Sequence, residues 1–328
     1  MRAVPWLAAV CWIVGGGALG RSEPAGVVHP SGPPPLLSEL AWLGPETDRL
    51  KALTERPGEC LRPPTDQNAA YLVEVGRAAF NSPLLFGGQA ARGGLSCASC
   101  HVDGRDNPDF FLAGLSGAAG TADVTSSVFS ATREDGAFNP VAIPSLVDAA
   151  RKRSFGTQAP APTIHAFVES AIAEEFQGAP PPRAVLDGLV AYVEHLDRAA
   201  CLGKGAARDV RADMAEVGRI LAAAIAALAS NDSETADFLI VSAQSALGRI
   251  HERYRGPALA PQREWLRDLS AGLAVARPYA RNGAADASAM LERLSLLLPA
   301  LTDDLVAHRR ASLYDVETLA TALKNAAE

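Results

Sequence analysis

Hydrophobic positions change their spacing several times along the chain, and each change marks a different kind of segment. Arg2 precedes an apolar run from Val4 to Leu19, and Ala18-Leu19-Gly20 puts small residues just before Arg21. This is the pattern of a cleaved secretory signal over residues 1–20. The run is too short, and too interrupted by Gly15, Gly16 and Gly17, to read as a lasting membrane helix. No later stretch approaches the roughly 18 apolar residues that a span needs, so none is expected after the signal. Six prolines between residues 21 and 45 then impose extended backbone, and residues 21–60 read as a proline-rich tether with a short helix over 46–55.

From Asn68 to Phe80 the apolar residues fall at helical spacing, and Asn81-Ser82-Pro83 stops the pattern. Residues 87–144 are rich in Gly, Ala, Ser and Asp and lose that period; so long an irregular stretch inside a domain usually wraps around something. Helical spacing returns over 163–176 and 183–200, the second segment carrying Leu186, Leu189, Val190, Val193 and Leu196 on one stripe. Beyond Gly205 amphipathic segments alternate with breakers. They predict helices near 210–228, 235–255 and 262–277, then others, the last starting at Ser312 with Ser312 and Asp315 as its capping pair. The expected fold is all-α: a domain with long irregular loops over 61–205, then a helical bundle over 206–328.

Composition supports this division. Sixty-three alanines against five tyrosines favour helix over sheet. With 30 Lys+Arg against 37 Asp+Glu the net charge is -7, the wrong sign for a protein that neutralises phosphates, so no nucleic-acid partner is expected.

The chemistry sits in Cys97-Ala98-Ser99-Cys100-His101. C-x-x-C-H is the attachment signature of c-type haem: two thiols one helical turn apart reach the two vinyl groups of one porphyrin, and the adjacent histidine gives iron a proximal nitrogen. A dithiol redox centre would want a preceding strand, but Gly93 and Gly94 stand there. A zinc site would want a second ligand pair, and the sequence offers none. The expectation is therefore one haem c on Cys97, Cys100 and His101. Cys11 would leave with the signal, and Cys60 and Cys201 bracket the haem domain, so an exported chain is expected to join them as a disulfide.

The blocks Val75-Gly76-Arg77-Ala78-Ala79-Phe80-Asn81-Ser82-Pro83-Leu84, Leu95 to His101, and Ile143-Pro144-Ser145-Leu146 resemble a haem domain of the bacterial dihaem cytochrome c peroxidases and their MauG-like relatives. The resemblance covers residues 68–200, includes the segment 163–171, and excludes the C-terminal helices. It implies a c-type cytochrome fold and a redox role. Those peroxidases carry two C-x-x-C-H motifs and this chain has one. The position of the family's methionine ligand falls near Ala171 or Ile172, neither of which can ligate.

The second face of the iron decides the chemistry. His165 is the candidate distal ligand, with Met214 the preferred methionine over Met290. His195, Tyr71 and Tyr192 read as packed side chains. Glu134 and Asp135 are the paired carboxylates available for proton transfer, and Arg151-Lys152-Arg153 is a basic cluster that could face haem propionates or an acidic partner. The function expected first is single-electron transfer by a periplasmic monohaem cytochrome with a redox partner protein. A peroxidase-like or MauG-like oxidase using a partner's haem is the alternative, and a haem-based binding or sensor module is a third.

Overall fold

The computed structural model describes residues 36–156, 160–201, 203 and 205–326. The expected signal segment, and the tether before residue 36, lie outside the described residues. The fold is all-α. Its helices are α1 (Arg49–Thr54), α2 (Gln67–Phe80), α3 (Gly88–Gly93), α4 (Cys97–Cys100), α5 (Ile164–Ser170), α6 (Arg183–His195), α7 (Val210–Ala229), α8 (Ser233–Arg253), α9 (Ala260–Arg281), α10 (Asp286–Ser295), α11 (Leu298–Ala307) and α12 (Val316–Asn325). Strands are two residues long, and β1 (Glu55–Arg56), β2 (Thr121–Ala122), β3 (Val141–Ala142) and β4 (Ala206–Ala207) pair as β1 with β4 and β2 with β3, both antiparallel.

Helix α2 starts where Asp66 Oδ1 accepts the N–H of Ala69 at 2.8 Å. Its buried face includes Val73, Val75, Ala79 and Phe80. It crosses α6 through glycines: a Cβ at Gly76 would lie 1.9 Å from the carbonyl oxygen of Gly188. Only a residue without a side chain permits that backbone contact. One turn further along, the Phe80 and Tyr192 rings sit 5.0 Å apart.

Several helix ends differ from the sequence expectation. The last helix is capped by Asp315, whose Oδ1 accepts from Thr318 N at 3.0 Å, not by Ser312. The Ser312 hydroxyl donates instead to Arg309 O at 2.7 Å, closing the preceding turn. Helix α9 continues through Pro278 to Arg281; proline already has a helical φ and, on an exposed position, forfeits one hydrogen bond. Helix α6 stops at His195 because Leu196 turns extended and bridges Leu61.

That bridge belongs to a clasp. Cys60 and Cys201 form the expected disulfide, with Cα atoms 4.2 Å apart and 141 positions apart in sequence. Asp197 N donates to Cys60 O at 2.8 Å, and β1 pairs with β4 alongside. Both ends of the segment that carries C-x-x-C-H are thereby tied together.

The described residues form one compact unit. A single hydrophobic cluster extends from Val73 in α2 to Tyr314 before α12, and a small second cluster joins Leu37, Leu53, Leu313 and Leu319. Ion pairs join residues on either side of Gly205, Arg219 to Glu74 at 3.3 Å and Arg253 to Glu39 at 2.8 Å. Burial alone would raise the Glu39 carboxyl, yet Arg208 and Arg253 hold it at about 2.

Candidate functional site

Helix α4 is one turn long, and Ser96 and Ser99 close a reciprocal capping box around it. Asn107 Nδ2 donates to Ser99 O at 2.8 Å and holds the turn from outside. Cys97 and Cys100 are not joined to each other. Together with His101 they line one wall of a cavity of about 320 Å³. Most of the remaining wall is apolar, with Phe80, Phe86, Phe129, Ile143, Leu146 and Phe167 among its residues.

His101 is oriented from behind. Its Nδ1 lies 3.0 Å from Pro144 O, and because a carbonyl can only accept, Nδ1 carries the proton and leaves the Nε2 lone pair free. Burial lowers the imidazole to about 4, so the ring is neutral at pH 7. The Ile143-Pro144-Ser145-Leu146 block is placed by backbone bonds from Ile143 N to Gly120 O at 2.9 Å and from Leu146 N to Gly104 O at 2.9 Å. Burial also pushes the Cys97 thiol up to about 12 and the Cys100 thiol up further. That is the opposite of the cation-flanked, low-pKa setting of a dithiol redox centre. Among the described residues no group of three or more His, Cys, Asp or Glu side chains is arranged to hold a bare metal ion.

A feature the sequence reading missed lies in the same cavity. The helix expected over 163–176 begins as α5, capped by Thr163 Oγ1 on Ala166 N at 3.1 Å, and widens at Ala171–Glu175 into a π-helical turn. Such bulges re-aim a side chain at functional positions. Here Glu175 is buried and lines the cavity. Arg133 lines it too, donating from Nη1 to Glu175 Oε2 at 2.6 Å and from Nη2 to Ser170 Oγ. Ser130 Oγ, which accepts from Arg133 N at 2.8 Å, in turn donates to Glu174 O at 2.6 Å, so loop and bulge are locked together. Burial raises Glu175 to about 7, with Arg133 pulling the other way. The sequence signal was an acidic pair, Glu174-Glu175, interrupting an otherwise apolar stripe.

The carboxylates expected there are elsewhere. Glu134 and Asp135 are exposed, and Asp135 accepts from Ala137 N at 2.9 Å and Asn139 Nδ2 at 2.9 Å in a surface turn. None of His165, His195, Met214, Met290, Tyr71 and Tyr192 lines the cavity. His165 corrects the expectation most directly: its side chain is 50% exposed, with Nε2 3.7 Å from Asp187 Oδ1. It falls on the outer side of α5, while Ile164, Phe167 and Val168 face in. Met214 is buried in α7 within the bundle core, and His195 Nδ1 donates to Ala191 O at 2.7 Å. Tyr192 donates its hydroxyl to Glu59 Oε1 at 2.7 Å. Of the basic cluster, Lys152 alone lines the cavity. Among the described residues no helix is long and apolar enough to cross a membrane. No protein-family model, no curated protein and no solved structure matches this chain.

Proposed function

We propose that this chain is an exported c-type haem protein whose cavity is an oxidoreductase site for a small oxygen ligand of the peroxide class. Cys97 and Cys100 would hold one haem as thioethers, and His101 Nε2 would be its proximal iron ligand. The residues fit the group: a largely apolar chamber suits a porphyrin, both cysteines line it, and the Pro144 carbonyl fixes the imidazole tautomer that iron requires. Bound there, haem supplies the redox-active iron to which a small ligand adds.

One observation carries the choice of chemistry: the wall that bears Cys97, Cys100 and His101 shares its cavity with the buried Glu175–Arg133 pair, and among the described residues no second His or Met lines that cavity. A carboxyl held at about 7 can give or take a proton near neutral pH. The Arg133 guanidinium fixes the carboxylate and keeps its ionised form accessible, and the apolar wall excludes bulk water from the transfer. A pure electron carrier, the function first expected, wants a ligand on the second face, and His165 and Met214 are placed elsewhere. The resemblance of residues 68–200 to the dihaem peroxidases points the same way, with a redox partner protein supplying electrons. Export to the periplasm rests on the pattern of residues 1–20.

The test is expression with a c-type maturation system. Expected are haem that survives denaturation, a high-spin oxidised spectrum shifted by cyanide, and peroxide turnover that Glu175→Gln slows by about 10²–10⁴-fold with haem retained. A low-spin, six-coordinate spectrum indifferent to cyanide would sink the open-site reading.

A further inference from the structure

The cavity rim carries a charge pattern opposite to that of the chain as a whole. Lys152, Ser154, Phe155 and Gly156 line the cavity, and Arg151, Lys152 and Arg153 are all exposed. Arg198 joins them from the turn after α6, because Asp148 N donates to Leu196 O at 2.9 Å and pins the two loops together. Two carboxylates sit in this group, and both are turned inward. Asp148 and Asp197 side chains are only 20% and 18% exposed, against 68% for Arg151 and 82% for Arg198. Their oxygens are occupied by backbone: Asp148 Oδ1 accepts from Arg198 N at 3.1 Å and Asp197 Oδ1 from Ala199 N at 2.8 Å. They also take ion pairs from the outer side, Arg151 to Asp197 at 3.1 Å and Arg198 to Asp148 at 3.3 Å. The outer face of the patch is therefore guanidinium and ammonium.

From this we infer that residues 148–153 and 197–198 form the docking surface for an acidic one-electron donor protein, held beside the cavity through Lys152. Charge complementarity selects the partner. On a chain of net charge -7, a compact cationic face beside the cavity gives an acidic partner a local attraction that fixes orientation as well as rate. The carboxylates beneath do the positioning: they hold Arg151 and Arg198 in place and contribute little surface of their own. The inference uses the haem reading only to say why a donor docks there; the docking itself is measurable without it.

The experiment pairs the full haem-loaded chain with two reduced probes, an acidic blue-copper protein and a basic cytochrome c, and follows haem reduction by stopped flow from low to physiological salt. Binding of the acidic probe is followed in parallel by NMR line broadening of that probe. Expected are faster reduction by the acidic probe, a rate that falls with salt, and a loss of about tenfold or more with flattened salt dependence in Lys152→Glu/Arg153→Glu. A double variant that reacts with the acidic probe at the parent rate and salt slope overturns the inference. So does a parent that prefers the basic probe. If the cations serve haem propionates instead, the variant will lose haem or shift its spectrum while probe binding is unchanged, which also rejects the docking surface. Failure of the haem reading shows separately, as acidic-probe binding that the variant abolishes in a chain without covalent haem.

Discussion

Arg133→Met removes the guanidinium paired with Glu175 while keeping most of the side-chain volume. The effect of the change follows from proton linkage. In the parent, Glu175 titrates at about 7 because burial raises it and Arg133 restrains the rise. Without Arg133 the folded-state value moves higher, and the unfolded value is unchanged. Below about pH 6 the Glu175 carboxyl is protonated in both folded proteins, so the variant should lose the bonds to Glu175 and Ser170 and the looser, half-exposed pair with Glu174, about 1–2 kcal/mol. Above pH 7 the parent releases the proton and the variant keeps it. The stability gap should then widen by about 1.4 kcal/mol per pH unit until the variant's own value is passed. Removing one partner of a buried pair costs about 3–5 kcal/mol in all, which caps the rise. Urea unfolding at pH 5, 7 and 9 measures the gap, and Glu175→Gln/Arg133→Met is the control in which the widening should vanish. A gap that is flat across this range, or that closes with rising pH, would refute the assignment of Glu175 as the group that Arg133 restrains.

Further expectations concern stability and ligation. Gly76→Ala should cost about 2 kcal/mol or more, read by chemical denaturation, because its Cβ would meet the Gly188 backbone, which cannot move aside as a side chain would. Cys60→Ser/Cys201→Ser opens a loop spanning 141 positions and should cost up to about 5 kcal/mol on the chain-entropy account; retention of the parent midpoint would show that β1–β4 pairing alone holds the clasp. Glu39, held at about 2, gives stability that is complete above its ordinary value of 4.5 and is lost as pH falls from 4.5 toward 2. Glu39→Gln should therefore remove acid sensitivity in that interval of a pH-jump unfolding assay. His165→Ala should leave the absorption spectrum of the haem-loaded chain unchanged, since its side chain is half exposed and turned toward Asp187.

Local rules made much of this legible. The 3.6-residue stripes of α2, α6, α7, α8 and α9 announced those helices, since burial of one face leaves its period in the sequence. Cys60 and Cys201 were legible as a pair because they flank a segment that must close. The α2–α6 contact was not, because Gly76 and Gly188 are informative only when brought opposite one another. Glu175 was hidden for a related reason. A regular helix over 163–176 fixes which residues share a face, whereas the π turn at Ala171–Glu175 inserts a residue and rotates everything after it. His165 shows the reverse error: a histidine has the right donor chemistry wherever it stands, but α5 turns inward at Ile164, Phe167 and Val168, leaving position 165 outside.

The clasp between Cys60 and Cys201 also constrains the order of events during synthesis. A chain made from its N-terminus presents Cys60 long before Cys201, which follows 141 positions later. In that interval Cys97 and Cys100 are the thiols that emerge downstream, and a bond from Cys60 to either would spoil the cavity wall and the clasp together. A Cys60 that stays reduced, or Cys97 and Cys100 that are capped, until the end of α6 has appeared avoids this; otherwise the wrong bond must be exchanged for the right one. The same two sulfurs that shape the finished site are the main hazard on the way to it.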